Sequence, residues 1–414
     1  MHDALGTFRV VMLGGARQTG KSTLATDLLR PPADGRFSFD DQATLQRAID
    51  DPVGFVSSLP RSTLVDEFQR AGQGFLLAVK QAVDADRTRG QFLLTGSANY
   101  IADRSISETL AGRAGRLVLW PLSQGELRGM RETFLDHLFD PAAWPPPSGT
   151  EPLTRAAIVD AIVTGGYPEV VTEGLQHRQR RSWFEAYVAD VVSREALRPL
   201  FDLRLETELR RVLRLLAART GQELVISALA TDAGLNRETT ANYVSLLEAL
   251  YLIVVIPAWS TSATTRAKRR PKVVVTDSGL AADLIGAGEA AFGPASDGKV
   301  AGALFETFVV TELHKHAGWA ERTIDLAHFR DRNGAEVDLI VEDRRSGRLS
   351  GIEVKLSATP TVRDARHLTL LRERLGDRFA VGVVVHAGTQ TLSLGERLWA
   401  VPVTTLWRSD PASA

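Results

Sequence analysis

The stretch "GGARQTGKSTL", Gly14–Leu24, decides the fold of the N-terminal part of the chain. It carries the spacing Gly-x-x-x-x-Gly-Lys-Ser from Gly15 to Ser22, between an apolar run, "FRVVML", and a helical one, "STLATDLL". A strand, a glycine-rich turn and a helix N-terminus in that order make a cradle for phosphate. Backbone N–H groups of Gly15, Ala16, Arg17, Gln18, Thr19 and Gly20 curl around the anion, and the helix dipole favours it. Lys21 then reaches the outer phosphates, the Ser22 hydroxyl ligates magnesium, and Thr23 belongs to the same binding turn. A nucleotide with Mg2+ is expected here. "STLVDEF" adds an apolar strand ending in Asp66 and Glu67: Asp66 is placed to hold magnesium, through water or through Ser22, and Glu67 to orient and activate an attacking water. "QFLLTGSAN" is a third strand whose end offers Thr95, Ser97 or Asn99 to sense the terminal phosphate, and the spacing does not choose among them. With "RLVLWPL", these strands alternate with amphipathic helices, the pattern of a parallel sheet covered by helices.

The chain has 414 residues, too many for one ordinary core, so several domains are expected. A net charge of −1 provides no global basic field, so any nucleic-acid surface must be local. Cysteine is absent, which excludes disulfides and thiolate metal sites and fits a reducing compartment. The N-terminus lacks a leader pattern and no run of roughly 18 apolar residues occurs, so a cytoplasmic protein without a membrane span is expected.

Four segments follow from the patterning. Residues 1–125 hold the phosphate-loop sheet. Residues 126–205 read as a helical lid or connector, interrupted by the proline-rich loop 140–152 and by Gly165-Gly166-Tyr167-Pro168, which must stop a helix. Residues 206–290 contain a helix ending at Gly234, a second helix capped by Asn236 and starting at Arg237, an apolar strand and the basic hairpin "TTRAKRRPKVVVTD". That order looks like a winged helix. Its second helix would present Arg237, Thr239, Thr240 and Asn242 to base edges, and the hairpin would set Arg266, Lys268, Arg269, Arg270 and Lys272 against phosphates. The same module can instead serve as packing scaffold, and Glu238 in the second helix works against an anion. Residues 291–414 read as an α/β domain: the helix "ALFETFVVTELHKH", three short strands, a helix near "VRDARHLTLLRERLG" and the strand "FAVGVVVHAG". His314 and His316 point to different faces of the first of these helices, which argues against a shared metal.

Within that last segment, "AEVDLIVE" and "GIEVKL" are strands joined by the turn "DRRSG". Pairing about the turn centre near Arg345 and Ser346 sets Asp338 opposite Glu353 and Glu336 opposite Lys355. Opposed side chains lie roughly 5 Å apart at Cβ, a distance at which two carboxylates can share one divalent cation and without one would repel. Glu336 with Lys355 would make a cross-strand ion pair.

The succession "GARQTGKSTL", "LVDEFQ", "FLLTGSAN", "LAGRAGRLVLWPLS", "GGYPE", "LEALYLI" and "RDRNGAEVDLIVE…GIEVK" resembles bacterial AAA-type ATPases that carry a C-terminal domain of unknown function with a nuclease-like sheet. The resemblance spans nearly the whole chain. It implies ATP as the nucleotide, its hydrolysis, and assembly of identical subunits, a hexameric ring being one form. By the same resemblance Arg113, in "LAGRAGR", looks like an arginine finger or sensor at a subunit boundary, with Arg116 as competitor. The acidic hairpin is similar to the PD-(D/E)xK nuclease core. In that scheme Asp338, Glu353 and the helix acid Glu306 bind Mg2+ or Mn2+, and Lys355 activates or orients the attacking water. What the resemblance implies is thus work on nucleic acid, with or without cutting. The alternative is a nucleotide-controlled switch whose C-terminal domains bind a protein partner.

Overall fold

The structure is a computed structural model describing residues 1–29, 35–96, 109–146, 153–192, 203–260, 262, 266 and 269–407. They gather into two compact units, one mainly Met1–Pro121 with Ser245–Tyr251, the other taking 122–192, 203–244 and 252–407.

The first unit is built on a five-stranded sheet: β1 (Val10–Gly14), β2 (Arg36–Ser38), β3 (Thr63–Asp66), β4 (Phe92–Thr95) and β5 (Ala114–Val118), in the order β2-β3-β4-β1-β5. Every neighbouring pair is parallel. Both faces of β1 are apolar because both are covered. Val10 and Met12 join one core with Val65, Leu94 and the phenylalanines Phe39, Phe55 and Phe75, while Val11 and Leu13 join another with Leu64 and Leu93. Helix α1 (Lys21–Leu29) leaves the end of β1, and α2 (Gly72–Ala85) follows β3. The short, polar edge strand β2 has no signal in the sequence pattern.

In the second unit, α3 (Arg155–Thr164) ends at Gly165, whose φ of 74° only glycine adopts freely. A Cβ there would lie 2.1 Å from the Asp277 carboxylate, which accepts the Gly166 N–H at 2.7 Å. The "GGYPE" run is therefore a backbone seat for a buried aspartate. Helix α4 (His177–Asp190) precedes α5 (Leu203–Ala217), then come β6 (Gln222–Glu223), α6 (Ile226–Ala233), α7 (Arg237–Ala249, of which the residues from Ser245 on count with the first unit), β7 (Ile253–Ile256) and β8 (Lys272–Val275). Gly234 closes α6 in the left-handed conformation and the Asn236 side chain accepts the Thr239 N–H at 2.8 Å. The three strands form an antiparallel sheet in the order β6-β8-β7.

After α8 (Ser278–Leu284) and the long α9 (Lys299–His316), β9 (Ile324–Arg330), β10 (Glu336–Asp343), β11 (Leu349–Lys355), α10 (Arg366–Leu375), β12 (Phe379–His386), β13 (Leu392–Gly395) and β14 (Leu398–Pro402) complete a mixed six-stranded sheet. β9, β10 and β11 are antiparallel, while β11, β12 and β14 run parallel. Leu339 pairs with Ile352, the register expected from the turn. Between Val337 and Ile340 the pairing with β9 shifts by one residue, a bulge that re-aims the side chains around Asp338.

Candidate functional site

At the end of β1 the chain turns sharply. A Cβ on Gly15 would lie 2.2 Å from the Leu119 carbonyl, and Gln18 and Gly20 take positive φ, 59° and 87°. The Thr19 hydroxyl donates to the Ala16 carbonyl at 2.9 Å and closes the loop. Lys21 is buried, and its ammonium donates to the Gly15 and Ala16 carbonyls at 3.1 and 2.6 Å. Burial lowers its pKa to about 8 against the pull of Glu67 and Asp66. The Ser22 hydroxyl donates to Asp66 Oδ2 at 2.7 Å, so residues 44 positions apart meet at the loop. Hydroxyl and carboxylate oxygens side by side suit magnesium.

Thr95, offered by the sequence as a phosphate sensor, lies at the end of β4 beside Asp66. Its hydroxyl is fully buried and donates to Asp66 Oδ1, so Thr95 holds the aspartate in place. Ser97 and Asn99 lie outside the described residues. Glu67 has φ 54°, a strained conformation for a side-chain-bearing residue, its N–H bonds Asp66 Oδ1 at 3.1 Å, and its carboxylate accepts from Gln69.

The second unit gathers its charges at the bulge. Glu306 on α9, Asp338 and Glu336 on β10, and Glu353 and Lys355 on β11 come together, joined by a residue placed elsewhere by the sequence reading: Lys272. That ammonium lies 2.9 Å from Glu306, 2.9 Å from Glu336 and 3.5 Å from Asp338, with the side chain only 3% exposed. Lys272 is thus no phosphate-binding residue of a basic hairpin. Burial disfavours its charge, but Glu306, Asp338 and Glu336 together hold its pKa above the usual value. The expected Glu336–Lys355 pair does not form: Lys355 binds Glu353 at 3.0 Å, and Glu336 turns to Lys272 and Arg330. Asp338 accepts the Val354 N–H at 2.8 Å. Burial, then the nearby Asp338, push the carboxyls of Glu306 and Glu353 above their usual range. Glu353 Oε1 is buried and without a hydrogen-bond partner.

The remaining cations expected against nucleic acid divide. Arg237 and Arg270 are exposed, and Thr239 is half-buried. Thr240 is fully buried and its hydroxyl donates to the Asn236 carbonyl, so it packs within its own module. Arg266 pairs with Glu342 at 2.9 Å and lies over the Trp259 ring, and Arg269 donates to the Arg330 carbonyl. Lys268 lies outside the described residues. His316 turns toward Glu132 (3.4 Å), and one ligand-type atom from each of Glu132, Glu312 and His316 lies within 4.8 Å of the others. The carboxylates there already accept from Ser123, Gly125, Gln124 and Lys315, which makes the cluster an anchor for the turn at Ser123–Glu126.

Residues 7–128 match the family described as AAA domain. This segment is an AAA domain of the P-loop ATPase type. Residues 155–291 and 301–406 match two families described as domains of unknown function, DUF8612 and DUF4143. Uncharacterized protein Rv2008c of Mycobacterium tuberculosis is 26% identical over 409 residues, covering 97% of this chain and 82% of its own. Uncharacterized protein Mb2031c of Mycobacterium bovis gives the same values. Among solved structures, the Walker-type ATPase PABY2304 of Pyrococcus abyssi is 14% identical over 68% of this chain and 93% of that one, with a TM-score of 0.40.

Within the AAA domain, Arg113 is held by Asp84 through two hydrogen bonds, 2.6 and 2.9 Å. Arg116 projects from β5 and is exposed. No described helix of the chain is long and apolar enough to cross a membrane.

Proposed function

We propose that the protein is a magnesium-dependent ATPase whose C-terminal half works on nucleic acid. The Ser22–Asp66 contact beside the phosphate loop carries the ATPase reading. Lys21 would leave the loop carbonyls for the outer phosphates, Ser22 and Asp66 would hold the metal with Thr95 fixing the aspartate, and Glu67 would take a proton from water. Magnesium, when bound, offsets charge on the transferring phosphoryl group. The test is phosphate release from ATP by the full chain and by Lys21→Ala. Release is expected only from the parent, and equal release from both would overturn the reading.

Support for nucleic acid comes from the order α5-β6-α6-α7-β7-β8, which is compatible with the proposed winged helix, with Arg237 and Arg270 exposed upon it. For the C-terminal sheet, the all-carboxylate donor set and the orphaned Glu353 Oε1 suit Mg2+ or Mn2+, with Lys355 beside them to orient water. Lys272 favours the second reading, a scaffold or switch whose acidic cluster is neutralised by an internal ammonium and cuts nothing. Cleavage of DNA and RNA in manganese separates the two: the first expects cutting by the parent and none by Asp338→Asn, the second expects none from either.

Ring assembly of identical subunits would bring Arg113 or Arg116 to a neighbour's phosphates. Arg113 must first leave Asp84. A trans role for Arg113 therefore predicts lower turnover in Arg113→Ala and unchanged or higher turnover in Asp84→Ala. Turnover unchanged in Arg113→Ala would transfer the role to Arg116 or remove it.

A further inference from the structure

A cavity of about 560 Å³ opens in the second unit between α4, α5 and the segment from α8 to Gly288. Its wall carries four arginines, Arg180 and Arg181 from α4 and Arg210 and Arg214 from α5, against two carboxylates, Glu185 and Asp283. With both acids ionised, the wall still holds a surplus of two positive charges.

These guanidiniums are not equally satisfied. Arg181 pairs with Glu185 at 3.0 Å along its own helix, and Arg210 pairs with Glu206. Arg180 is 8% exposed; it donates to the Thr164 hydroxyl at 2.7 Å, and its carboxylate neighbour, Asp160, stands 4.0 Å away. A buried charge with so little compensation is costly unless something else faces it. Arg210 Nε is buried with no hydrogen-bond partner. Among the described residues, no carboxylate lies within ion-pair distance of Arg214. Burial and then Glu185 raise the Asp283 carboxyl to about 6, so it offsets the arginines of the wall less firmly than an ordinary carboxylate.

Apart from His177 at the start of α4, the remainder of the wall is apolar or backbone, with Phe184 and Val188 on α4, and the volume falls in the range that encloses one small organic molecule. Planar guanidiniums at a cavity wall recognise phosphate oxygens in pairs, better than an ammonium does. We propose that this cavity is a second, arginine-lined site for a nucleotide-sized organic phosphate, separate from the phosphate loop. Arg180, Arg210 and Arg214 hold the phosphates, and the Phe184–Val188 side takes the organic part.

The test uses the full chain carrying Lys21→Ala, which weakens the phosphate loop and exposes any other site. Fluorescent ADP is titrated into this protein, with inorganic pyrophosphate as competitor. Saturable binding is expected, displaced by pyrophosphate and weakened at least about tenfold when Arg214→Glu is added, the scale of one lost charge-assisted contact. Arg214 is exposed, so this substitution spares the core, and circular dichroism verifies the fold. Arg180→Gln, at a buried position, is the second arm and is expected to weaken binding similarly. Absence of saturable ADP binding in Lys21→Ala overturns the proposal. Binding that neither arginine substitution alters overturns it too, because it belongs to the residual phosphate loop.

Discussion

Glu67→Gln is expected to keep ATP bound and to slow its hydrolysis by roughly 10²–10⁴-fold, the usual contribution of a positioned general base. The reason lies in the backbone as much as in the carboxylate. Glu67 follows Asp66, the carboxylate proposed to hold the metal, and has a left-handed φ of 54° at the end of β3. Glutamine keeps the shape and the contact with Gln69, while it removes the group that can accept a proton. Loop, lysine, Ser22 and Asp66 stay as they are, so affinity for ATP should change by less than about threefold, well under one lost charged contact. Equilibrium binding and phosphate release, measured on the same preparation, give both numbers. Turnover near that of the parent would remove Glu67 from the water-activating role.

Lys272→Met should lower the stability of the full chain by about 3–5 kcal/mol in the presence of a chelator, the cost of breaking a buried ion pair from one side. Methionine replaces most of the stem but leaves Glu306, Glu336 and Asp338 facing one another without the ammonium that now lies 2.9–3.5 Å from all three. Millimolar manganese should restore a good part of that loss in the variant and change the parent little, since a ligand bound at about 100 times its dissociation constant returns about 2.7 kcal/mol. Thermal or urea unfolding with and without metal measures both effects. A loss below about 1 kcal/mol, or a variant indifferent to manganese, would show that Lys272 is not the counter-charge of the cluster.

The phosphate-loop geometry was legible because it uses contiguous residues: a strand, a loop of defined spacing and a helix start cannot be scattered along a chain. Asn236 and Gly234 were legible for the same reason, as caps act on their own neighbours. The hairpin register followed from turn symmetry, which local sequence also contains. Lys272 was not legible. It begins a short run of buried valines after "RRP", and its partners come from α9 and β10, at least 34 positions away. Composition marks such a lysine as one more cation in a basic stretch, and only the packing of three elements shows its charge turned inward. The Thr95–Asp66 contact was not legible either, since it depends on where β3 lies beside β4. Edge strand β2, three residues with a single apolar side chain, was too short to announce itself.

Strand β8 has an evolutionary consequence. The family boundaries separate 155–291 from 301–406, and Lys272 falls in the first while Glu306 and Asp338 fall in the second. An ancestor that swapped either segment for an unrelated one would have left an acid nest without its cation, or a cation without its nest. The two segments are therefore expected to be inherited together and to change together: a lineage that loses the lysine should lose acids opposite it as well. Cutting the gene between them for separate expression should give two insoluble halves rather than two working parts.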